Sequence, residues 1–367
     1  MSRFLSVHGL CLAVVLPGCG VEQLYASVPR PLRSTPPASM SAGAPAEPAQ
    51  DTEESDCDWR AVTRMPERTR GQAVVELAGT FYSFGGLSQS EATALGPNRR
   101  EHPQAESLAR FYTSVRAYDA ERDQWTTKAR MPIGLYVLTA NHLGDQIFVF
   151  GGYNGDGFQP VVHAYDPTSD SWTQHENMPT RRYIFTSDAV ADKAYVIGGH
   201  SPTDADPNEW QYLDIVEIFD PERGWSSGTP APYPIAGAAS CTLDERIFVF
   251  GGELNNETSI YNVRTDSWST ATPPPTARNG HQCVRVGETF FLIGGRDERG
   301  ALSLVETYDP RADTWQTQGE LNTSRHWFGA AALADRIYVF GGEHTGLLDD
   351  VEAIDVSARD CASPFKP

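Results

Sequence analysis

Short runs of β-branched and aromatic residues punctuate the chain, and six of them end in paired glycines: Gly85-Gly86, Gly151-Gly152, Gly198-Gly199, Gly251-Gly252, Gly294-Gly295 and Gly341-Gly342. Ile147 to Phe150, Ile247 to Phe250 and Ile337 to Phe340 are apolar at every position, as strands covered on both faces require. A second set of strands ends in an aromatic and a turn, at Tyr118-Asp119, Tyr165-Asp166-Pro167, Phe219-Asp220-Pro221, Tyr261-Asn262 and Tyr308-Asp309-Pro310. There the Asp or Asn side chain bonds back to the backbone and Pro pre-sets φ. A third set carries Trp125, Trp172, Trp225, Trp268 and Trp315, and Trp59 stands earlier and alone. With the strand that leads into each Gly-Gly run, every unit holds four strands.

Spacing makes this pattern geometric. From each Trp to the next Gly-Gly the step is 26 residues in all six cases, Trp59 to Gly85 included. From each Gly-Gly to the following Trp it is 40, 21, 27, 17 and 21 residues. Length varies in one segment only, so the loops that differ emerge on one face, and loops on a rigid frame are where binding usually sits. The segments from Leu87 to Arg110 and from His200 to Gln211 are the long ones.

Units of about 50 residues with a double glycine resemble the Kelch repeat, and the resemblance spans residues 57 to 361. It implies an all-β fold, a six-bladed Kelch-type β-propeller whose four-stranded antiparallel sheets pack radially. The last unit has a Gly-Gly strand and a Tyr-strand equivalent, Val351 to Asp355, but no Trp strand. We expect Asp58 to Thr63 to supply it, closing the last blade with an N-terminal strand. Cys57 and Cys361 then fall at one turn, where a disulfide would lock the ring; two free surface thiols are the other reading. Cys241 and Cys283 lie on adjacent inner strands, ten and eleven residues before their glycines, and are expected to be two buried thiols out of register.

Ahead of the repeats, Arg3, the apolar stretch Phe4 to Leu16 and Leu16-Pro17-Gly18-Cys19 read as an export signal. The last four residues resemble the lipobox of bacterial lipoproteins, which implies lipidation of Cys19. The expected organisation is a signal peptide over 1–18, a lipid-anchored tether over 19–56 and the propeller over 57–367. Residues 20–56 hold six Pro and a late acidic cluster, and they cannot bury enough apolar surface to fold. The expected location is outside the cytoplasm, on a bacterial cell envelope, with the membrane reached through the lipid anchor only.

Charge narrows the partners. A formal charge of −19 with 48 acidic residues repels phosphate backbones and excludes nucleic acid as a partner. A monomer is expected.

Arg182, Arg278 and Arg325 each stand ten residues after a periodic Trp, with Arg68 and Arg70 flanking the same register. One reading is a ring of guanidinium groups at the channel mouth suited to carboxylates; the other is capping of strand ends. Trp210 and Trp327 are outside the periodic set and, with Tyr153, His200, Glu253, His326, Glu343 and His344, map to the variable face.

Among catalytic motifs, no His-Glu-x-x-His, phosphate loop or Cys-x-x-Cys occurs. His142, His281, Cys283 and His326 sit at different depths and do not converge on a metal. The ligands of the Kelch copper oxidases have no counterpart, and Asn154-Gly155-Asp156-Gly157 reads as a hairpin turn rather than a calcium loop. No cofactor is expected. The leading expectation is a binding module for a protein or glycan. The alternative is a carbohydrate-active enzyme similar to the Kelch sialic-acid mutarotases, with channel-mouth Arg on the carboxylate and Glu343 or His326 moving the proton.

Overall fold

The computed structural model describes residues 58–88, 110–203 and 209–357. Cys19, Cys57, Cys361, the proposed signal peptide and tether, and most of the first long loop lie outside the described residues. The remainder forms six four-stranded antiparallel sheets, each running from an inner strand on the central axis to an outer strand at the rim. From inner to outer, blade 1 is Ala73–Leu77, Thr80–Phe84, Val115–Asp119 and Gln124–Lys128, and blades 2 to 5 repeat that order. Blade 6 is Gly329–Leu333, Arg336–Phe340, Asp350–Asp355 and, from the other end of the chain, Arg60–Arg64. The expected closure is therefore present. Arg60 pairs with Ala353 and Arg64 with Asp350, and Trp59 is buried.

The Gly-Gly pairs keep their spacing because they dock one blade on the next. The N–H of Gly86, Gly152, Gly199, Gly252, Gly295 and Gly342 donates to the carbonyl ten residues after a Trp in the following blade: Leu135, Arg182, Ile235, Arg278, Arg325 and Thr69 in turn. A side chain has no room there: a Cβ on Gly198 would stand 2.2 Å from the Ile235 carbonyl oxygen.

The rim is stapled by the Trp and its Asp. Asp170 Oδ1 accepts the N–H of Ala129 in the preceding blade and the Tyr165 hydroxyl, while Trp172 Nε1 donates to the Ala129 carbonyl. Asp266 with Trp268 and Asp313 with Trp315 do the same to Thr229 and Thr272. Both seams of blade 6 lack this staple, since the indoles of Trp59 and Trp125 have no acceptor.

Asp313→Ala, which removes two such bonds, is expected to cost about 1–2 kcal/mol of unfolding stability, read from denaturant midpoints; no change would discount the staple. The Tyr308 hydroxyl, with the Thr272 amide, holds the Asp313 carboxyl below its ordinary value. Its contribution is thus complete above about pH 4 and is lost as pH falls through the depressed folded value.

Candidate functional site

Two rings of residues define the variable face. The twelfth residue after each Trp is left-handed in every blade: Gly71, Val137, Ile184, Gly237, Gly280 and Trp327, with φ between 50° and 66°. Backbone N–H groups link them around the channel mouth, Gly71 to Trp327 at 2.7 Å, Trp327 to Gly280, Gly280 to Gly237, Gly237 to Ile184, and Val137 to Gly71.

Outside this ring, the residue before each member bonds through its backbone to the residue after a Gly-Gly: Arg70 with Leu87, Tyr136 with Tyr153, Tyr183 with His200, Ala236 with Glu253, Asn279 with Arg296, and His326 with Glu343. The recurrence of this pair in every blade makes the outer ring a fixed frame on which side chains vary.

The frame divides the face in two. Over blades 1 to 3 it carries a continuous aromatic run. Phe111 meets Tyr153 at 5.6 Å between ring centroids, Phe158 stacks on Tyr183 at 4.4 Å, and Tyr183 meets His200 edge-on at 5.3 Å. The run ends at Trp210, which stacks on the buried His200 at 4.4 Å and is 49% exposed. His200 Nε2 lies 3.1 Å from Glu253 Oε2, and the Tyr212 hydroxyl also donates to that oxygen. Trp210 is thus an apolar plate propped by a buried ring.

From blade 4 round to Arg70, the face is ionic. Arg70 pairs with Glu343 and lies 5.4 Å over the Tyr136 ring. His326 sits 3.6 Å from Glu343, yet burial holds its imidazole below the ordinary value, neutral at pH 7. The His344 ring bonds Ser324 Oγ at 2.8 Å, and Arg68 reaches Asp349 at 3.6 Å.

Arg182, Arg278 and Arg325 do not face the channel mouth. Their side chains are fully buried and pair with Glu217 at 2.6 Å, Glu306 at 2.5 Å and Glu352 on the third strand of the same blade. Each also donates from Nη1 to the carbonyl of the first glycine of its own pair, Gly198, Gly294 or Gly341. Of the two readings, the structural one fits this geometry. Burial pulls the Arg182 guanidinium down to about 10, which leaves it charged at neutral pH. The glutamates were missed in the sequence although the signal was there: blades with Arg have Glu beside the third strand's first Val, at 217, 306 and 352. Blade 1 reverses the pair, with Glu67 in the loop and Arg116 on the strand.

The second correction concerns Cys241 and Cys283, which form a disulfide with Cα atoms 5.8 Å apart. The two are in register after all, because the sixteenth residue after a Trp meets the fifteenth of the next blade. Asn141 donates to Ser187 Oγ at 2.5 Å in the same way, and Asp188 bonds Ser240. Of the other residues weighed as metal ligands, His281 is buried on an inner strand's approach, its imidazole pushed down to about 3 by burial, and His142 is exposed. Asn154 Oδ1 accepts the N–H of Asp156 and Gly157, a hairpin turn as expected.

Comparison with known proteins adds the repeat's identity. Residues 184–360 match the family model of the KLHDC2/KLHL20/DRC7 Kelch-repeats domain, and residues 138–179 match the Kelch motif. Kelch-like protein 34 of Homo sapiens is 31% identical over 154 residues, 36% of this chain and 24% of that protein. Kelch-like protein terF of Aspergillus terreus is 26% identical over 184 residues, 44% and 40% of the two chains. The chain thus spans less than half the length of these curated relatives. A solved structure titled "Structure of YjhT" shares the fold at a TM-score of 0.65 and 18% identity, over 81% of this chain and 97% of that one.

Proposed function

We propose that this Kelch-repeat propeller is a binding module that takes a protein or glycan on its variable face, exported and held at a bacterial envelope through a lipid on Cys19. The observation that carries the binding reading is the Trp210 plate, exposed, stacked on buried His200 and braced by Glu253. A large exposed aromatic held rigid loses little entropy on binding and makes an anchor for a partner. Export is supported by the Cys241–Cys283 disulfide, since such bonds persist in oxidising compartments. The propeller acts as a monomer, without a cofactor and without nucleic acid.

The enzymatic alternative, an activity on sugar acids, loses the carboxylate clamp assigned to Arg182, Arg278 and Arg325, whose guanidinium groups are engaged internally. It retains Arg70, His326 and Glu343 on the ionic half.

Partners captured from an envelope extract by wild-type protein are expected to be lost by Trp210→Ala, with affinity down about 30-fold, as for an aromatic hot spot worth about 2 kcal/mol. The thermal midpoint should scarcely move. A sugar acid that stabilises wild type but not Arg70→Ala, with Trp210→Ala unaffected, would transfer the reading to the enzyme.

A further inference from the structure

The central channel below the ring is a cavity of about 220 Å³, and its walls carry an uneven distribution of polar groups. Blades 5, 6 and 1 contribute mainly small and apolar side chains, such as Ala73, Val74 and Ala330, with the buried His281 imidazole on blade 5 and with Gln72 and Gln282 turned to the backbone carbonyls of Phe340 and Phe328. Blades 2 to 4 contribute Thr139, Asn141, Thr186, Ser187, Asp188 and Ser240. Asp188 is the one acid in the lining, and no Lys or Arg accompanies it.

Its bonding is half complete. Ser240 hydrogen-bonds the Asp188 carboxyl and is itself bonded to Thr186, whereas Asp188 Oδ2 is buried with no partner. Thr139 Oγ1, on the same side of the channel, also has none. A buried carboxyl without a counter-charge is costly, and it is relieved either by taking up a proton, as burial favours here, or by a cation. Every donor atom on this wall is an oxygen or an amide, hard ligands that suit sodium- or calcium-class ions rather than zinc or copper.

We propose that the channel binds one hard, oxygen-ligated cation of sodium or calcium size at Asp188, with the Ser240 and Thr186 hydroxyls beside it. The site is separate from the variable face, which the backbone ring divides from it. Its role is to tie blades 3 and 4 together across the axis, next to the disulfide that ties blades 4 and 5.

The test uses the full chain, its disulfide intact, in buffer free of sodium and calcium. Calcium chloride, sodium chloride and magnesium chloride are titrated separately, with choline chloride at matched ionic strength as the control, and the thermal midpoint and calorimetric heat are followed. Calcium or sodium is expected to raise the midpoint by a few degrees with one ion per chain, and the arm that responds identifies the ion. Asp188→Asn should abolish that response. Ser240→Ala should weaken binding about tenfold, and it replaces Asp188→Asn as the test if the latter does not fold. Equal shifts with choline, no shift at all, a response to magnesium alone, a response retained in Asp188→Asn, or an unweakened one in Ser240→Ala would overturn the site. Because the readout is independent of any partner on the variable face, its failure leaves the binding reading intact, and the converse also holds.

Discussion

Arg278→Ala is expected to lower unfolding stability by about 3–5 kcal/mol, the cost of stranding one member of a buried ion pair. Glu306 would keep its charge 2% exposed with no cation beside it, and the carbonyls of Gly294 and Leu304 would each lose a donor. The double variant Arg278→Met with Glu306→Leu should recover most of the loss, because two apolar side chains of similar volume need no compensation. Denaturant midpoints on the three variants check both statements. A loss below about 1 kcal/mol for Arg278→Ala, with sugar-acid binding abolished instead, would return the guanidinium to the ligand role. The same experiment on Arg182 and Arg325 should give the same sign, since both donate to a Gly-Gly carbonyl and form an ion pair with a buried glutamate.

Removing the Cys241–Cys283 bridge, by Cys241→Ala with Cys283→Ala, is expected to cost about 4 kcal/mol, from the closure entropy of a loop of 42 residues. Reduction of wild-type protein should lower the thermal midpoint to that of the double variant. An unchanged midpoint on reduction would mean the thiols are unbonded in solution. The bridge joins blades 4 and 5 at the axis, whereas both seams of blade 6 lack the Trp staple at the rim. A chain without the bridge should therefore be held at blade 6 by the Arg60–Arg64 strand, the packing of Trp59 and Phe340 and the Gly-Gly hydrogen bonds, without a rim staple, and proteolysis should enter at that seam first.

Much of this molecule can be read from local pattern. The apolar runs, the turn residues after Tyr or Phe and the constant step of 26 residues from Trp to Gly-Gly each depend on contacts repeated in every blade, so six copies reinforce one signal. The closure of blade 6 by residues after Trp59 follows from the same count, because a missing strand at one end matches a surplus one at the other. The variable face was legible for the same reason. The pairing of Arg182, Arg278 and Arg325 with glutamates was visible only as a coincidence of two positions, and Glu lies 35, 28 and 27 residues after its Arg, so no fixed spacing advertised it.

The chain's periodicity by itself determined the number of blades, the order of strands within them and the face on which loops vary, because those features rest on hydrogen bonds and burial that recur unit by unit. Only the tertiary structure decided which side chains meet across the axis: the one-position offset that brings Cys241 to Cys283 and Asp188 to Ser240, and the inward turn that removes three arginines from the channel mouth. Those contacts depend on how inner strands from different blades converge, a distance that linear spacing does not encode.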